Sequence, residues 1–348
     1  MWSRRQWGQY CAIALAGAGL LAGRAQSAPG LARPQTSLIL AVTGKASFPY
    51  LPLTIAERQG FFAAEGLTVD VREFPDSAAA LQAVLEGSAH MLSGGYDLVV
   101  AQRLRGEYLA SILVQGLTPQ MVLGVSRRSL AGYRSLSDLR GRRIGITGLG
   151  TPSHRMARLA LARASVSEQE VRFVSLPNPW AALEAYRSNH VDALCYGDPL
   201  ITRLEQAGDL RILVDTRTIR GSQDLFGGPL PAGCLASPAA WIAAHADHCQ
   251  AAVNAMVRAL KWLQTAGPSD INKVVPESYF EGDRALYLAA FERAREAWAP
   301  DGVMPDTGPR TVARLLAQFS DSPGLARANL LSTYTNQFAL KAKAQFRA

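Results

Sequence analysis

Short apolar runs alternate with amphipathic stretches along most of the chain, and this pattern predicts strands followed by helices. Two such stretches, 69–100 and 171–202, align without a gap at an offset of 102 residues. Each predicts a strand, a proline-marked loop, a helix, a short strand, a glycine turn and a second helix. The shared register indicates a structural repeat, and chance agreement of two unrelated αβ units is the alternative.

The mismatched positions of the two stretches are physically equivalent. Gly87 aligns with Asn189, and these residue types best accept the left-handed conformation that closes a helix. Asp76 aligns with Asn178, and both are favoured at helix N-caps. The matched helix ends favour a true repeat.

A further strand, loop and helix are predicted upstream of each copy. Strands that alternate with helices favour a mostly parallel sheet in each half, and therefore an α/β fold. Ligands of such sheets bind beyond the carboxyl ends of the strands, so two facing halves predict a cleft. After residue 230 long helical patterns follow, which we expect to return to the first half. We expect the chain to cross between the halves near 121–126 and 231–237.

The composition, 48% hydrophobic and 18% charged over 348 residues, is that of a globular protein. Residues 1–27 predict a signal peptide cleaved near Ser27, with the twin-arginine route and the general secretory route both open. Removal of its three arginines, Arg4, Arg5 and Arg24, lowers the formal net charge from +8 to +5. The other arginines are scattered among acidic residues, so we expect no nucleic-acid partner.

Three cysteines, Cys195, Cys234 and Cys249, follow the predicted signal, so at most one disulfide is expected. The sequence contains neither a second long apolar span nor a lipidation cysteine at the cleavage site. Together with the export signal, this predicts a free periplasmic protein.

Four segments carry a family resemblance: "LPLTIAERQGFFAAEGLTVDVREF" (51–74), "SLSDLRGRRIGIT" (135–147), "GTPSH" (150–154) and "ALEAYRSNHVDALCYGDP" (182–199). In this order they resemble periplasmic solute-binding proteins of ABC importers of the nitrate, sulfonate and taurine (SsuA/NMT1-like) type. The resemblance covers roughly residues 37–240. It departs at His90, where these proteins often carry Asp, and at Asn189–His190, which replaces a Gly-acid pair.

The resemblance implies a two-lobed type II periplasmic binding protein fold with a helical C-terminal tail. We expect lobe I over 37–125 and 235–348, lobe II over 126–234, and the ligand cleft between them. Closure of the two lobes would hold a small solute and present it to a membrane permease.

The turn at 147–154 is the leading candidate for contact with the solute. Its hydroxyls and the free N–H groups of the helix start suit an oxyanion, although a plain αβ turn is the alternative. It lacks the third glycine of the dinucleotide fingerprint and the Gly-Lys-Ser/Thr of a P-loop. The full expected ligand-binding set is Ser47, Phe48, Tyr50, Ser93, Gly94, Tyr96, Gln115, Thr118, Thr147, Gly150, Thr151, Ser153, His154, Asp198 and Phe226.

The predicted function is therefore solute binding for an ABC permease and ATPase complex, by a monomer without cofactor or catalytic residues. The predicted solute is a small organic anion, a sulfonate or carboxylate, aromatic ones included. The alternatives are a thiamine-pyrimidine precursor binder or related enzyme, and a periplasmic sensor. The cysteine-rich motif of the pyrimidine synthases and the hydrolase motifs are absent from the sequence. His245 and His248 lie one helical turn apart without a foreseeable third ligand, so no metal site is expected.

Overall fold

The structure, a computed structural model, describes residues 36–319 and 329–348, and the predicted signal peptide, 1–27, lies outside them. The strands are β1 Thr36–Val42, β2 Leu67–Glu73, β3 Met91–Gly95, β4 Leu109–Val114, β5 Met121–Ser126, β6 Arg143–Ile146, β7 Arg172–Ser175, β8 Ala193–Gly197, β9 Leu210–Asp215 and β10 Gly233–Pro238. The helices are α1 Leu51–Arg58, α2 Phe61–Ala64, α3 Ser77–Leu85, α4 Tyr96–Leu104, α5 Pro152–Arg163, α6 Pro179–Arg187, α7 Leu200–Gln206, α8 Ile219–Phe226, α9 Ala239–Ala244, α10 Ala246–Thr265, α11 Pro268–Val274, α12 Arg284–Ala294, α13 Gly308–Gln318 and α14 Gln337–Phe346.

The strands form two five-stranded sheets of the same topology. The orders are β2-β1-β3-β10-β4 and β7-β6-β8-β5-β9. In each sheet the first three strands are parallel and the fourth, β10 or β5, runs antiparallel to both neighbours. We call the first sheet with its helices lobe I and the second lobe II. The predicted α/β fold of two mostly parallel sheets flanked by helices is confirmed.

The internal repeat is present in the structure, with its helices and short strands at the predicted offset. Helix α3 corresponds to α6, and β3 corresponds to β8. The carboxylate of Asp76 accepts a hydrogen bond from the backbone N–H of Ala79 at 2.8 Å, and the amide oxygen of Asn178 caps α6 in the same way. Gly87 and Asn189 both have positive φ, 80° and 57°, as their place after a helix requires.

The two crossings lie slightly outside the expected positions. Residues 121–125, which the sequence analysis places in lobe I, belong to strand β5 of the second sheet. Gly233 and Cys234, placed in lobe II, belong to β10 of the first sheet. The chain therefore crosses over 115–120 and 227–232. The expected positions differ from these because an apolar strand pattern does not reveal which sheet the strand joins.

The C-terminal helices pack on lobe I, as expected. Helix α10 lies against α1 and α14, with Val253, Met256 and Leu260 fully buried. Trp298 is 1% exposed and its indole N–H donates to the backbone oxygen of Phe48 at 2.9 Å. This bond holds the Phe48 backbone, on the cavity side of lobe I, against the C-terminal part of the chain.

The three cysteines of the described region are buried and unpaired. Burial raises the pKa of each thiol, to about 12 for Cys234 and Cys249, so the unreactive thiol form prevails at neutral pH. No helix within residues 36–319 or 329–348 is long and apolar enough to cross a membrane.

Candidate functional site

A cavity of about 470 Å³ lies between the two lobes, beyond the carboxyl ends of the parallel strands. Thr43, Gly95, Thr147 and Gly197, at or just after the ends of β1, β3, β6 and β8, all line it. Most of the wall is apolar, from Phe48, Pro49, Tyr50, Pro119, Met121, Pro152, Met156, Pro177, Pro179, Tyr196, Phe226, Leu230, Pro231, Ala232, Ala294, Val312 and Leu315. The size and lining suit a small organic molecule.

The second-lobe turn contributes a cluster of hydroxyls beside the start of α5. The Oγ atoms of Thr147, Thr151 and Ser153 lie 2.8–3.0 Å from one another. Thr151 is the N-cap residue, but its hydroxyl donates to the oxygen of Gly148 at 2.7 Å and caps no N–H group. Thr147 and Thr151 line the cavity, whereas Ser153 is fully buried and accepts from the backbone N–H of Thr147 at 3.0 Å.

An ion pair joins the two walls of the cavity. Arg155, in the first turns of α5, donates through Nη2 to the carboxylate of Asp97, in the first turn of α4. Both side chains line the cavity and both are partly exposed. The pair is therefore a direct contact between the lobes at the place where a solute would bind.

The first-lobe wall holds three of the expected residues. Ser47 donates its hydroxyl to the oxygen of Gly44 at 2.7 Å, and Phe48 is buried against Tyr287. Burial and the nearby Asp97 carboxylate raise the pKa of Tyr50, so its phenol stays protonated at neutral pH and can donate.

A second charged cluster lies on the lobe II wall and is tied within that lobe. The Arg217 guanidinium donates to Asp198 at 3.2 Å, to Glu205 at 3.0 Å and to Asp215 at 2.6 Å. Asp198 also accepts from the backbone and hydroxyl of Thr202, both at 2.8 Å. The side chains of Asp198 and Arg217 are 3% exposed, so neither is free to rearrange around a solute.

Glu205 connects this cluster to lobe I. The oxygen that accepts from Arg217 also accepts from Arg293 of α12 at 2.5 Å. Arg203 of α7 and Asp283, which directly precedes α12, form a second ion pair at 3.4 Å. The Glu205 carboxylate thus links Arg293, on lobe I, to Arg217, on the lobe II wall of the cavity.

Gln120 lies on the cavity lining, in the first crossing between the lobes. It is 4% exposed, and its side-chain nitrogen and oxygen have no hydrogen-bond partner among the described residues. Its backbone adopts a positive φ of 56°, a conformation that few residues other than glycine adopt. Buried unpaired amides and strained backbone concentrate at binding sites, so Gln120 joins the candidate residues.

Of the fifteen expected residues, seven line the cavity: Ser47, Phe48, Tyr50, Thr147, Thr151, Asp198 and Phe226. The other eight, Ser93, Gly94, Tyr96, Gln115, Thr118, Gly150, Ser153 and His154, do not line it. Most of these eight have partners inside the protein. Gln115 donates to Ser93 at 3.0 Å, and the Tyr96 hydroxyl lies 2.5 Å from that of Thr333.

His154 lies behind the turn, where its Nδ1 accepts from the backbone N–H of Gly150 at 3.0 Å. Burial lowers its pKa, and the nearby Arg158 lowers it further, so the imidazole is neutral and adds no positive charge for an anion. Thr118 is 1% exposed and Gly94 lies within β3. Successive side chains of a strand point to opposite faces of the sheet, so a position near the end of β3 does not by itself bring a side chain to the cavity.

Sequence reasoning missed Asp97, Arg155, Arg217 and Gln120. The position of Arg155 one residue after His154 was a signal, since it places a cation on the first turns of a helix that begins at the cleft. The histidines at 245 and 248 lie on the far side of lobe I, with ring centroids 5.5 Å apart beside Trp241. The described residues contain no group of three or more metal-ligating side chains.

Two sheets of equivalent topology with a cavity between their carboxyl ends define the periplasmic binding protein fold. The chain belongs to the NMT1/THI5-like family, whose model matches residues 47–266. No curated protein matches the chain in sequence.

Solved structures share this fold. A protein from Bordetella bronchiseptica RB50 is 38% identical, with a TM-score of 0.81 over 90% of this chain and 99% of that chain. The alkanesulfonate-binding protein SsuA from Xanthomonas axonopodis pv. citri is 18% identical, with a TM-score of 0.64 over 86% and 98% of the two chains. The periplasmic nitrate-binding protein NrtA from Synechocystis PCC 6803 is 12% identical, with a TM-score of 0.67 over 89% of each. The latter two show the fold alone.

Proposed function

We propose that the protein is the periplasmic solute-binding component of an ABC importer, a monomer that delivers a small organic molecule to the permease and ATPase complex. The observation that carries the proposal is the cavity itself, which is lined from both lobes and from both crossings. Rotation about two short crossings is a common way for such lobes to open and close around a solute. The proposal assigns the protein no catalytic role.

The proposed solute has an acid group and a mostly apolar body. Thr147, Thr151 and Arg155 form the polar end of the cavity, and they suit a carboxylate or sulfonate. The proline-rich and aromatic remainder of the wall suits a body much larger than nitrate. Solved relatives of this fold that bind alkanesulfonate or nitrate are consistent with an acidic ligand.

The test is thermal unfolding of the chain from residue 28 against a panel of nitrate, taurine, alkanesulfonates, aromatic carboxylates and sulfonates, and aminopyrimidines. A solute at a hundred times its dissociation constant stabilises by about 2.7 kcal/mol, which clearly raises the midpoint. The shift should be lost when Thr147→Val and Thr151→Val are combined, and kept in Thr265→Val, an exposed position on α10. If no solute of the panel raised the midpoint, the proposal would fail.

A further inference from the structure

The two ends of the Asp97–Arg155 ion pair belong to opposite walls of the cavity. Arg155 uses Nη2 for Asp97 and Nη1 for the backbone oxygen of Gly150. The other guanidinium of the cavity wall, Arg217, is 3% exposed and shared among three carboxylates. Arg155 is therefore the guanidinium of this wall that an acid group can reach, and it already has a carboxylate partner.

An acid group that binds Arg155 must share it with Asp97 or displace Asp97 from it. Displacement leaves the Asp97 carboxylate without its partner in a mostly apolar cavity, beside the Tyr50 ring. Once a solute fills the cavity and excludes water from it, an unpaired Asp97 carboxylate is costly, because the surrounding wall is apolar. A solute that carries only an acid group therefore exchanges one ion pair for another and leaves a carboxylate unsatisfied.

A solute with a second, basic group avoids this cost. Its acid group takes the place of Asp97 on Arg155, beside the hydroxyls of Thr147 and Thr151, and its ammonium pairs with Asp97. Both protein charges then keep a partner, and the two lobes are joined through the solute instead of directly. A solute with only an ammonium would pair with Asp97 and leave Arg155 unpaired.

Resting on the proposed function, we propose that the solute is a zwitterion with an apolar body, an amino acid or aminosulfonate, bound by Arg155 at its acid group and by Asp97 at its ammonium. The charges of the Asp97–Arg155 pair agree with this. One acid balances one base there, so a zwitterion leaves both charges with a partner, whereas a monoanion does not.

The experiment compares matched probes by isothermal titration calorimetry at pH 7. The three sets are phenylalanine, 3-phenylpropanoate and 2-phenylethylamine; leucine, 4-methylpentanoate and 3-methylbutylamine; and 3-aminopropanesulfonate, propanesulfonate and propylamine. In at least one set the zwitterion should bind about tenfold or more tighter than both its anion and its amine, because only it restores both ion pairs. An anion that binds as tightly as its zwitterion overturns the inference.

Asp97→Asn provides the second arm. Without the carboxylate the ammonium loses its partner, so the variant should bind the zwitterion about tenfold more weakly and the matched anion more tightly. Asp70→Asn, which removes a surface ion pair with Arg72 on β2, is the matched control and should leave both affinities unchanged. An unchanged zwitterion-to-anion ratio in Asp97→Asn also overturns the inference.

The outcomes separate this inference from the proposed function. If other solutes of the thermal panel bind but neither taurine nor any of the three zwitterions does, the inference fails and solute binding stands. If neither the panel nor the nine probes bind, both fail.

Discussion

Two equivalent turns of the repeat carry a carboxylate into the same cavity, and they use it differently. In lobe I the turn after β3 reads Gly95-Tyr96-Asp97, and in lobe II the turn after β8 reads Gly197-Asp198-Pro199. The Asp97 side chain is 23% exposed and reaches across to the other lobe, whereas that of Asp198 is 3% exposed and bound within its own. Duplicated topology thus yields one exchangeable carboxylate and one fixed carboxylate.

The difference follows from a shift of one residue. Asp198 directly follows the glycine, and its carboxylate accepts hydrogen bonds from the first turn of α7 and from the guanidinium of Arg217. Asp97 is one residue farther along, already within α4, and faces outward from the first turn. We infer that lobe II provides the rigid wall and lobe I the adjustable contact.

The largest expected effect is on stability, from Asp198→Ala. This variant removes a buried partner of Arg217 and the acceptor of the Thr202 N–H in the first turn of α7, so the free energy of unfolding should fall by about 3 kcal/mol. Asp97→Ala breaks a partly exposed pair and should lower it by about 1 kcal/mol or less. Urea denaturation measures both, and equal losses would contradict the distinction between a fixed and an exchangeable carboxylate.

The second effect is on affinity, from Arg155→Gln. Loss of the guanidinium should weaken the tightest of the nine calorimetric probes by about tenfold or more, since charge-assisted bonds are the strong polar contacts. The free energy of unfolding should change by about 1 kcal/mol or less, because the Asp97 pair is partly exposed. Arg172→Gln, an exposed position on β7, is the matched control. Undiminished affinity in Arg155→Gln would show that the acid group lies elsewhere.

A smaller and opposite effect is expected at Gln120, between the two walls. Gln120→Met keeps the length of the side chain and removes an unpaired buried amide, so the free energy of unfolding should rise by about 1 kcal/mol. The same variant should bind the tightest probe more weakly. Gln206→Met, at an exposed position of α7, should change neither quantity. A Gln120→Met protein that is less stable and binds normally would remove Gln120 from the site.

The smallest expected effect is on the pH dependence of the free energy of unfolding, through His154 in lobe II. The pKa of His154 is lowered below its unfolded value of about 6.5, so the unfolded chain binds the proton more tightly. Stability from this group is complete above pH 6.5 and falls as the pH drops below it. His154→Gln should therefore lose less stability than the parent between pH 8 and pH 5 in urea denaturation. His190→Gln, an exposed matched control, should follow the parent, and equal losses in all three would refute the assignment.

The sequence predicted most of the fold because the signals involved are local. Apolar runs, the capping residues Asp76 and Asn178, and the left-handed positions Gly87 and Asn189 each act within a few residues. From the sequence we expect most of strand β5 in lobe I, whereas it belongs to the sheet of lobe II, because sheet membership depends on pairing with distant strands. The sequence does not encode that pairing in a readable pattern.

The site was less predictable for the same reason. The place of Thr147 and Thr151 on the cavity lining was predictable because they follow a strand end, which the apolar pattern locates. The pairing of Asp97 with Arg155 joins residues 58 positions apart, and the unpaired amide of Gln120 is a property of its surroundings. Ser153 and His154 do not line the cavity, because they lie on the inner side of the turn and accept hydrogen bonds from its own backbone N–H groups.

The placement of β10 has a consequence for how the chain is made. This strand lies between β3 and β4 in the first sheet, yet about 120 residues of the second lobe separate it from them in the chain. A nascent chain can assemble all five strands of the second sheet while the first still lacks one of its inner strands. Synthesis must pass Pro238 before the first sheet can close, so the lobe that begins the chain is the last to become complete.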